Sequence, residues 1–109
     1  MNTDMAVTRW LPNWDGCLVD SHHGQYAIPM MIDIAIEHGF IMSGPFSDIA
    51  PHVLNDLANY GDLEAGDALI WFADEAELFM NAHLAPLGYA FGWHDGDYIL
   101  ATLTDWAEL

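Results

Sequence analysis

The chain almost lacks basic side chains. Among its 109 residues, Arg9 is the one arginine and lysine is absent, whereas 17 residues are Asp or Glu, so the formal net charge is -16 with His neutral. Sequence-independent binding to nucleic acids needs cationic side chains that displace the counterions of the phosphates. Attachment to an anionic membrane surface needs the same side chains. The composition therefore excludes both of these function classes.

Cysteine, long apolar runs and a leader pattern are also scarce or missing. The single cysteine, Cys17, cannot form an internal disulfide, and a chain without disulfides is typical of the cytoplasm. No stretch reaches the roughly 18 consecutive apolar residues of a transmembrane helix. The first residues show no basic region followed by an apolar core, so we expect no signal peptide. We therefore expect a cytoplasmic protein that is not inserted in a membrane.

Hydrophobic residues, by contrast, are plentiful. They make up 53% of the chain, and aromatic residues make up 13%, which is typical of a folded chain rather than of a disordered acidic tail. The length fits one domain. We predict a single domain over residues 1–109, in which residues 1–12 form a loose arm that Trp10 and Trp14 anchor on the core.

The hydrophobic pattern predicts an α+β protein. We expect short strands at residues 16–20 and 25–28 and a buried central strand at residues 68–72. Helices are expected at residues 30–38, at residues 49–60 with Ser47 or Asp48 as N-cap, and after Asp74, which would cap a third helix. These elements predict a mainly antiparallel sheet with two to three helices packed on one face.

The clearest local signal is a hairpin near the end of the chain. Asp95 and Gly96 suit the two-residue type I′ turn. With that turn, Trp93 faces Tyr98, and the aromatic side of the ribbon is expected to pack on helices. We expect His94 to pair with Asp97 across the strands.

Most acidic residues lie in the second half of the chain. Residues 1–54 carry six acidic side chains and Arg9, a net charge of -5, whereas residues 55–109 carry eleven acidic side chains and no basic one, a net charge of -11. Carboxylates on one helix face recur about every 5–6 Å, and those two residues apart on a strand about every 6.8 Å, which is close to the spacing of phosphates along a nucleic-acid strand. The predicted partner-binding residues are Asp56, Asp62, Glu64, Asp67, Asp74, Glu75, Glu77, Asp95, Asp97, Asp105 and Glu108.

The histidines raise the question of a metal or catalytic site. Asp20, His22 and His23 are close in sequence and support the alternative of a small metal-binding or hydrolytic domain. However, neighbouring histidines of an extended chain point to opposite faces, and no metal-binding spacing such as His-Glu-x-x-His occurs. Cys17 has no basic neighbour that would activate its thiol. We therefore expect a binding protein rather than an enzyme, with no metal and no cofactor.

In its size, its charge, its lack of lysine and its acidic residues between positions 56 and 108, the chain resembles small acidic proteins that phages and plasmids encode against host defence. These are the DNA-mimic anti-CRISPR and anti-restriction proteins. The resemblance implies an inhibitor, monomeric or dimeric, that occupies the nucleic-acid channel of a basic CRISPR or restriction complex in the host cytoplasm and touches neither nucleic acid nor membrane. Trp106 or Trp10 would be exposed anchors in that contact, whereas Trp71 and Trp93 are expected in the core.

Three alternatives stay open at this point. An immunity protein or antitoxin that neutralises a basic nuclease toxin would share the electrostatics. The metal-binding or hydrolytic domain around Asp20, His22 and His23 is of another class. A halophilic or solubility adaptation would explain the charge without any partner.

Overall fold

The structure is a computed structural model that describes residues 17–108. The predicted arm at residues 1–12 lies outside the described residues, as do the two tryptophans expected to anchor it, Trp10 and Trp14. Along the chain the elements are β1 (Cys17–Val19), a 3-10 segment (Ser21–Tyr26), α1 (Ala27–Glu37), α2 (Pro51–Asn59), α3 (Leu63–His83), β2 (Tyr89–His94), β3 (Asp97–Thr102) and α4 (Leu103–Glu108). Within these residues, no helix is both long and apolar enough to cross a membrane.

The fold is α+β, as predicted. The described strands form one antiparallel sheet in the order β1-β3-β2. The hairpin register is also confirmed, because Trp93 lies opposite Tyr98 and His94 lies opposite Asp97. Asp95 and Gly96 have φ values of 50° and 85°, and a type I′ turn needs positive φ at both of these positions.

The segment before α1 differs from its prediction, because residues 25–28 are not a strand. The Asp20 carboxylate accepts a hydrogen bond from the backbone N–H of His22 at 2.9 Å, and this bond starts the 3-10 segment. The helix then begins at Ala27, with Pro29 in its first turn, where the missing proline N–H costs no hydrogen bond.

The prediction for α2 is close. The helix covers Pro51–Asn59, but its N-cap is Ala50, which makes no side-chain capping bond, rather than Ser47 or Asp48. Pro51 itself starts the helix, because its fixed φ suits the first helical position.

The largest error concerns α3, a helix of 21 residues. Residues 68–72 belong to its middle and are not a central strand. A short apolar run has the same pattern in a buried strand and in a helix, and here Leu69 and Phe72 are buried while Ile70 and Trp71 are exposed. Asp74 therefore lies inside the helix. The N-cap is Asp62, whose carboxylate accepts from the Ala65 N–H at 3.0 Å.

The core lies between the helices and one face of the sheet. Val19, Phe91, Tyr98 and Leu100 are buried residues of that sheet face, and the rings of Phe91 and Tyr98 are stacked with centroids 6.1 Å apart. Buried helix residues complete the core, among them Met31, Ile32, Leu54, Phe72, Ala76 and Met80.

A side chain from α4 covers the opposite face of the hairpin. The indole N–H of Trp106 donates to the Ala90 carbonyl at 2.9 Å. Its ring lies over Gly92, where a Cβ would be only 3.0 Å from the ring. Trp106 is therefore half-buried and held on the sheet, rather than an exposed anchor as expected.

Candidate partner-binding surface

The predicted acidic residues lie on four parts of the described fold. Asp56 is on α2, and Asp95 and Asp97 are at the hairpin turn. Asp105 and Glu108 are on α4, whose Trp106 packs on the sheet face that points away from α3. The other six belong to α3 or to its N-cap: Asp62, Glu64, Asp67, Asp74, Glu75 and Glu77. The eleven residues therefore do not form one surface, and α3 holds the largest group.

The solvent side of α3 brings four of these carboxylates together. Successive residues of an α-helix turn by about 100°, so six side chains between Glu64 and Leu78 fall within an arc of about 100°. We name this arc the acidic face, and it consists of Glu64, Asp67, Trp71, Asp74, Glu75 and Leu78. All of its side chains are exposed except that of Glu75, which is half-buried.

The charge density of the acidic face is roughly two thirds of that of one nucleic-acid strand. At 1.5 Å of rise per residue, its four carboxylates extend over about 16 Å of helix axis, or roughly one charge per 5 Å. One strand of B-DNA carries one phosphate per about 3.4 Å of axis. Residues 17–108 contain no lysine or arginine, so none of these charges is neutralised by such a side chain of the described structure.

Two large apolar side chains stand on the same face. Trp71 is 60% exposed and Leu78 is 64% exposed, and a separation of seven residues places them two helical turns apart. The prediction of Trp71 in the core is wrong, and the error follows from treating residues 68–72 as a strand. The continuous helix over residues 63–83 instead places Trp71 and Leu78 on one side.

A groove runs beside the acidic face, between α3 and residues 39–46. We name it the α3 groove. Its apolar walls include Phe40, Ile41, Phe46, Trp71, Leu78 and Phe79, and Glu64, Asp67 and Glu75 supply carboxylates. Its two wider sections have volumes of about 420 Å³ each. Ile41 protrudes into solvent with 82% of its surface exposed. The sequence pattern did not predict this exposure.

A second groove connects α3 with the hairpin turn. It is lined by Ile70, Asp74, Trp93 and Gly96, with part of α1 as its floor. Trp93 packs on Tyr98 with ring centroids 4.9 Å apart, yet 36% of its surface stays exposed, so its predicted place in the core is wrong. Because Asp74 and Gly96 both line this groove, the turn that carries Asp95 and Asp97 lies near the Asp74 edge of the acidic face.

Glu77 lies at the edge of α3 that turns toward the sheet. Partial burial raises the pKa of its carboxyl, and the neighbouring charge of Asp74 raises that pKa further. Burial, together with the charge of Glu77, raises the pKa of the Tyr98 hydroxyl well above its usual range. The Tyr98 hydroxyl donates to the Met80 sulfur at 3.8 Å. Glu77 is therefore partly buried, and its carboxylate is less accessible to a partner than the exposed carboxylates of the acidic face.

The histidines take part in local contacts. His94 Nε2 lies 3.2 Å from a carboxylate oxygen of Asp95, in addition to facing Asp97 across the strands. Asp20, His22 and His23 are exposed, and the Asp20 carboxylate caps the 3-10 segment. Between residues 17 and 108, no group of three or more His, Cys, Asp or Glu residues is arranged to hold a metal ion.

No protein-family model, no curated protein and no solved structure matches this chain.

Proposed function

We propose that this protein is an acidic inhibitor that binds a basic nucleic-acid-processing complex of the CRISPR or restriction type. In this proposal the acidic face takes the position of nucleic-acid phosphates in the groove of the effector. The protein acts by occupancy and not by turnover, without metal or cofactor. A target of this kind places its action in the cytoplasm of the host cell.

The observation that carries the proposal is the acidic face itself. Its carboxylates are aligned along one rigid helix and lie in a protein of net charge -16. Carboxylates that repel one another at helical spacing cost a few tenths of a kcal/mol per pair. Cationic side chains in a basic groove would attract these carboxylates and offset their mutual repulsion. The same attraction would steer the encounter of the two proteins.

The apolar residues on the same face favour a protein as the partner. Large exposed aromatic and aliphatic side chains among polar ones are typical of protein interfaces. Trp71 is suited to act as an anchor, because buried tryptophans contribute strongly to binding. Solubility or salt adaptation alone would not require apolar side chains among the carboxylates.

The test is displacement of DNA from defined effectors. Fluorescently labelled duplex DNA is bound separately to a purified CRISPR surveillance complex and to a restriction enzyme, and its anisotropy is followed as the acidic protein is added. We expect one effector to release its DNA at near-stoichiometric inhibitor. We also expect the association rate to fall as salt rises from about 50 to 300 mM, because salt screens the steering charges. Retention of DNA by both effectors at tenfold excess of inhibitor would overturn the proposal.

A variant of the acidic face distinguishes the effect of its aligned carboxylates from the effect of net charge. It neutralises four carboxylates with isosteric amides, in the substitutions Glu64→Gln, Asp67→Asn, Asp74→Asn and Glu75→Gln. We expect at least tenfold weaker inhibition, because the aligned charges are lost while the shape is kept.

A matched control variant makes the same change in net charge on α1 and α4. Its substitutions are Asp33→Asn, Glu37→Gln, Asp105→Asn and Glu108→Gln, all at exposed positions. We expect it to inhibit within about twofold of the unmodified protein, since only long-range steering changes. Equal losses in the two variants would show that net charge alone acts.

A basic nuclease toxin provides a third arm of the same assay. Release of DNA from the toxin, with none from the two effectors, would overturn the proposed target and assign the protein to the immunity class.

A further inference from the structure

The α3 groove extends along most of α3. From Glu64 to His83 it follows α3 for about 28 Å at 1.5 Å per residue. Ile41, Trp71 and Leu78 lie along it with 60% or more of their surface exposed, and neighbouring exposed apolar side chains among polar ones are typical of interaction sites. The groove therefore has the properties of a docking site, and its chemistry restricts what can occupy it.

We propose that the α3 groove binds an amphipathic basic helix of the partner protein. This inference rests on the proposed function, and it adds the segment of the partner that is recognised. Apolar side chains of the bound helix would lie between Ile41 and the Trp71 and Leu78 side chains. Arginine or lysine side chains on its flanks would reach Glu64, Asp67 and Glu75.

The spacing of the apolar side chains favours a helix as the occupant. Trp71 and Leu78 are seven residues apart, or about 10.5 Å along α3, and apolar residues at positions i and i+7 of a bound helix repeat at the same distance. The groove walls are side chains of a helix and of a loop, and they offer no open strand edge. An extended peptide that adds a strand needs such an edge, whereas a helix in a groove needs apolar walls.

The carboxylates of the groove determine which charge its occupant must carry. The groove carries three carboxylates, and the one imidazole among its described lining residues is that of His83, at the far end. The ring of His83 lies 4.9 Å from that of Phe79, so this end of the groove is mainly aromatic. An acidic or neutral amphipathic helix would leave the carboxylates without partners, whereas a basic helix pairs with them.

The probe is a synthetic peptide of 18 residues with leucines at helical spacing and arginines on both flanks. A second peptide has the same composition in a scrambled order that abolishes the apolar face. Binding is measured by isothermal titration calorimetry at about 150 mM salt, which weakens contacts that depend on charge alone. We expect the amphipathic peptide to bind at least tenfold more tightly than the scrambled one. Equal affinities would overturn the inference.

Substitution of Ile41 by glutamate distinguishes apolar docking from charge attraction. Attraction by charge alone predicts that Ile41→Glu binds the basic peptide more tightly, because the variant gains a carboxylate. Docking in the groove predicts at least tenfold weaker binding, because the added charge is buried against leucines. Trp71→Ala is a second variant that removes an apolar wall without any charge change, and we expect a loss of similar size.

The matched control is Leu103→Glu. Leu103 is exposed and begins α4, whose Trp106 covers the sheet face opposite to α3. The control adds the same charge outside the groove, and we expect its affinity to stay within twofold. Because Ile41, Trp71 and Leu103 are all exposed, the variants are expected to keep the circular dichroism spectrum of the unmodified protein. Tighter or unchanged binding by Ile41→Glu would overturn the inference.

The two proposals fail in different ways. If DNA is displaced from an effector but Ile41→Glu inhibits like the unmodified protein, the groove inference is wrong and the proposed function stands. If the peptide binds in the groove but no effector releases DNA, the proposed target class is wrong and the groove stands.

Discussion

Replacement of Asn81 by alanine is expected to destabilise the protein, because the Asn81 side chain forms hydrogen bonds with the open edge of the sheet. β2 is an edge strand, and Phe91 lies in its middle. The Phe91 N–H donates to Asn81 Oδ1 at 2.7 Å, and Asn81 Nδ2 donates to the Phe91 carbonyl at 3.2 Å. The amide of Asn81 thus pairs with the strand edge as a neighbouring strand would, and it connects α3 to the sheet.

The magnitude follows from these two hydrogen bonds. Each contributes about 1 kcal/mol to the free energy of unfolding, since the backbone groups are partly buried. Alanine is a better helix former than asparagine by about 0.5 kcal/mol, which offsets part of the loss. We therefore expect a net loss of about 1.5 kcal/mol, or a fall in Tm of roughly 6–10 °C for a domain of this size.

Urea unfolding followed by circular dichroism measures this loss. Hydrogen exchange at the Phe91 amide supplies a local readout, and we expect faster exchange in Asn81→Ala than the global loss alone produces. Asn59→Ala is the matched control, because Asn59 is exposed at the end of α2, and it should change stability by less than about 0.5 kcal/mol. The reasoning is refuted if Asn81→Ala unfolds at the same urea concentration as the control and the Phe91 amide keeps its protection.

Three further predictions follow from the geometry. Asp62→Ala should cost about 1 kcal/mol in urea unfolding, because Asp62 caps α3, whereas Asp74→Ala should cost nothing; the reverse order would mean that a helix starts at Asp74. Glu77→Gln should stabilise the protein at pH 7 by a few tenths of a kcal/mol after solvent screening. The raised pKa of the Glu77 carboxyl means that its ionised form destabilises the fold, so the gain should disappear as pH falls below the ordinary carboxyl pKa; a destabilised Glu77→Gln at pH 7 would contradict this sign. Gly92→Ala should cost about 1–3 kcal/mol, because its methyl group meets the Trp106 ring, and this cost should shrink in a Trp106→Leu background; an equal cost in both backgrounds would show that the contact is not the cause.

The hairpin was predictable because its signals are local. Asp95 and Gly96 adopt the backbone conformation that few other residues tolerate, and this turn alone fixes which residue faces which along β2 and β3. The helix over residues 30–38 was also close to the observed α1, since its apolar residues recur with the helical period. Local chemistry was sufficient in both places.

The prediction of a central strand at residues 68–72 is wrong because the apolar run alone does not distinguish a strand from a helix. Five apolar residues in succession have no period, and only their neighbours decide between a strand and a helix. Asp74 is the predicted N-cap, whereas the observed cap of this helix is Asp62. The close contact of α2 with α3, where a Cβ on Gly66 would lie 3.5 Å from that of Ala58, belongs to a helix that begins at Leu63.

The sequence by itself determined the excess of carboxylates, the near absence of cationic side chains and the register of the last hairpin, since these depend on composition and on a two-residue turn. The tertiary structure decided that α3 is one helix, that Trp71 and Leu78 face solvent among its carboxylates, and that residues 39–46 form a groove beside them. The physical reason is that exposure depends on which element packs on which side of a helix, and that packing joins residues far apart in the chain.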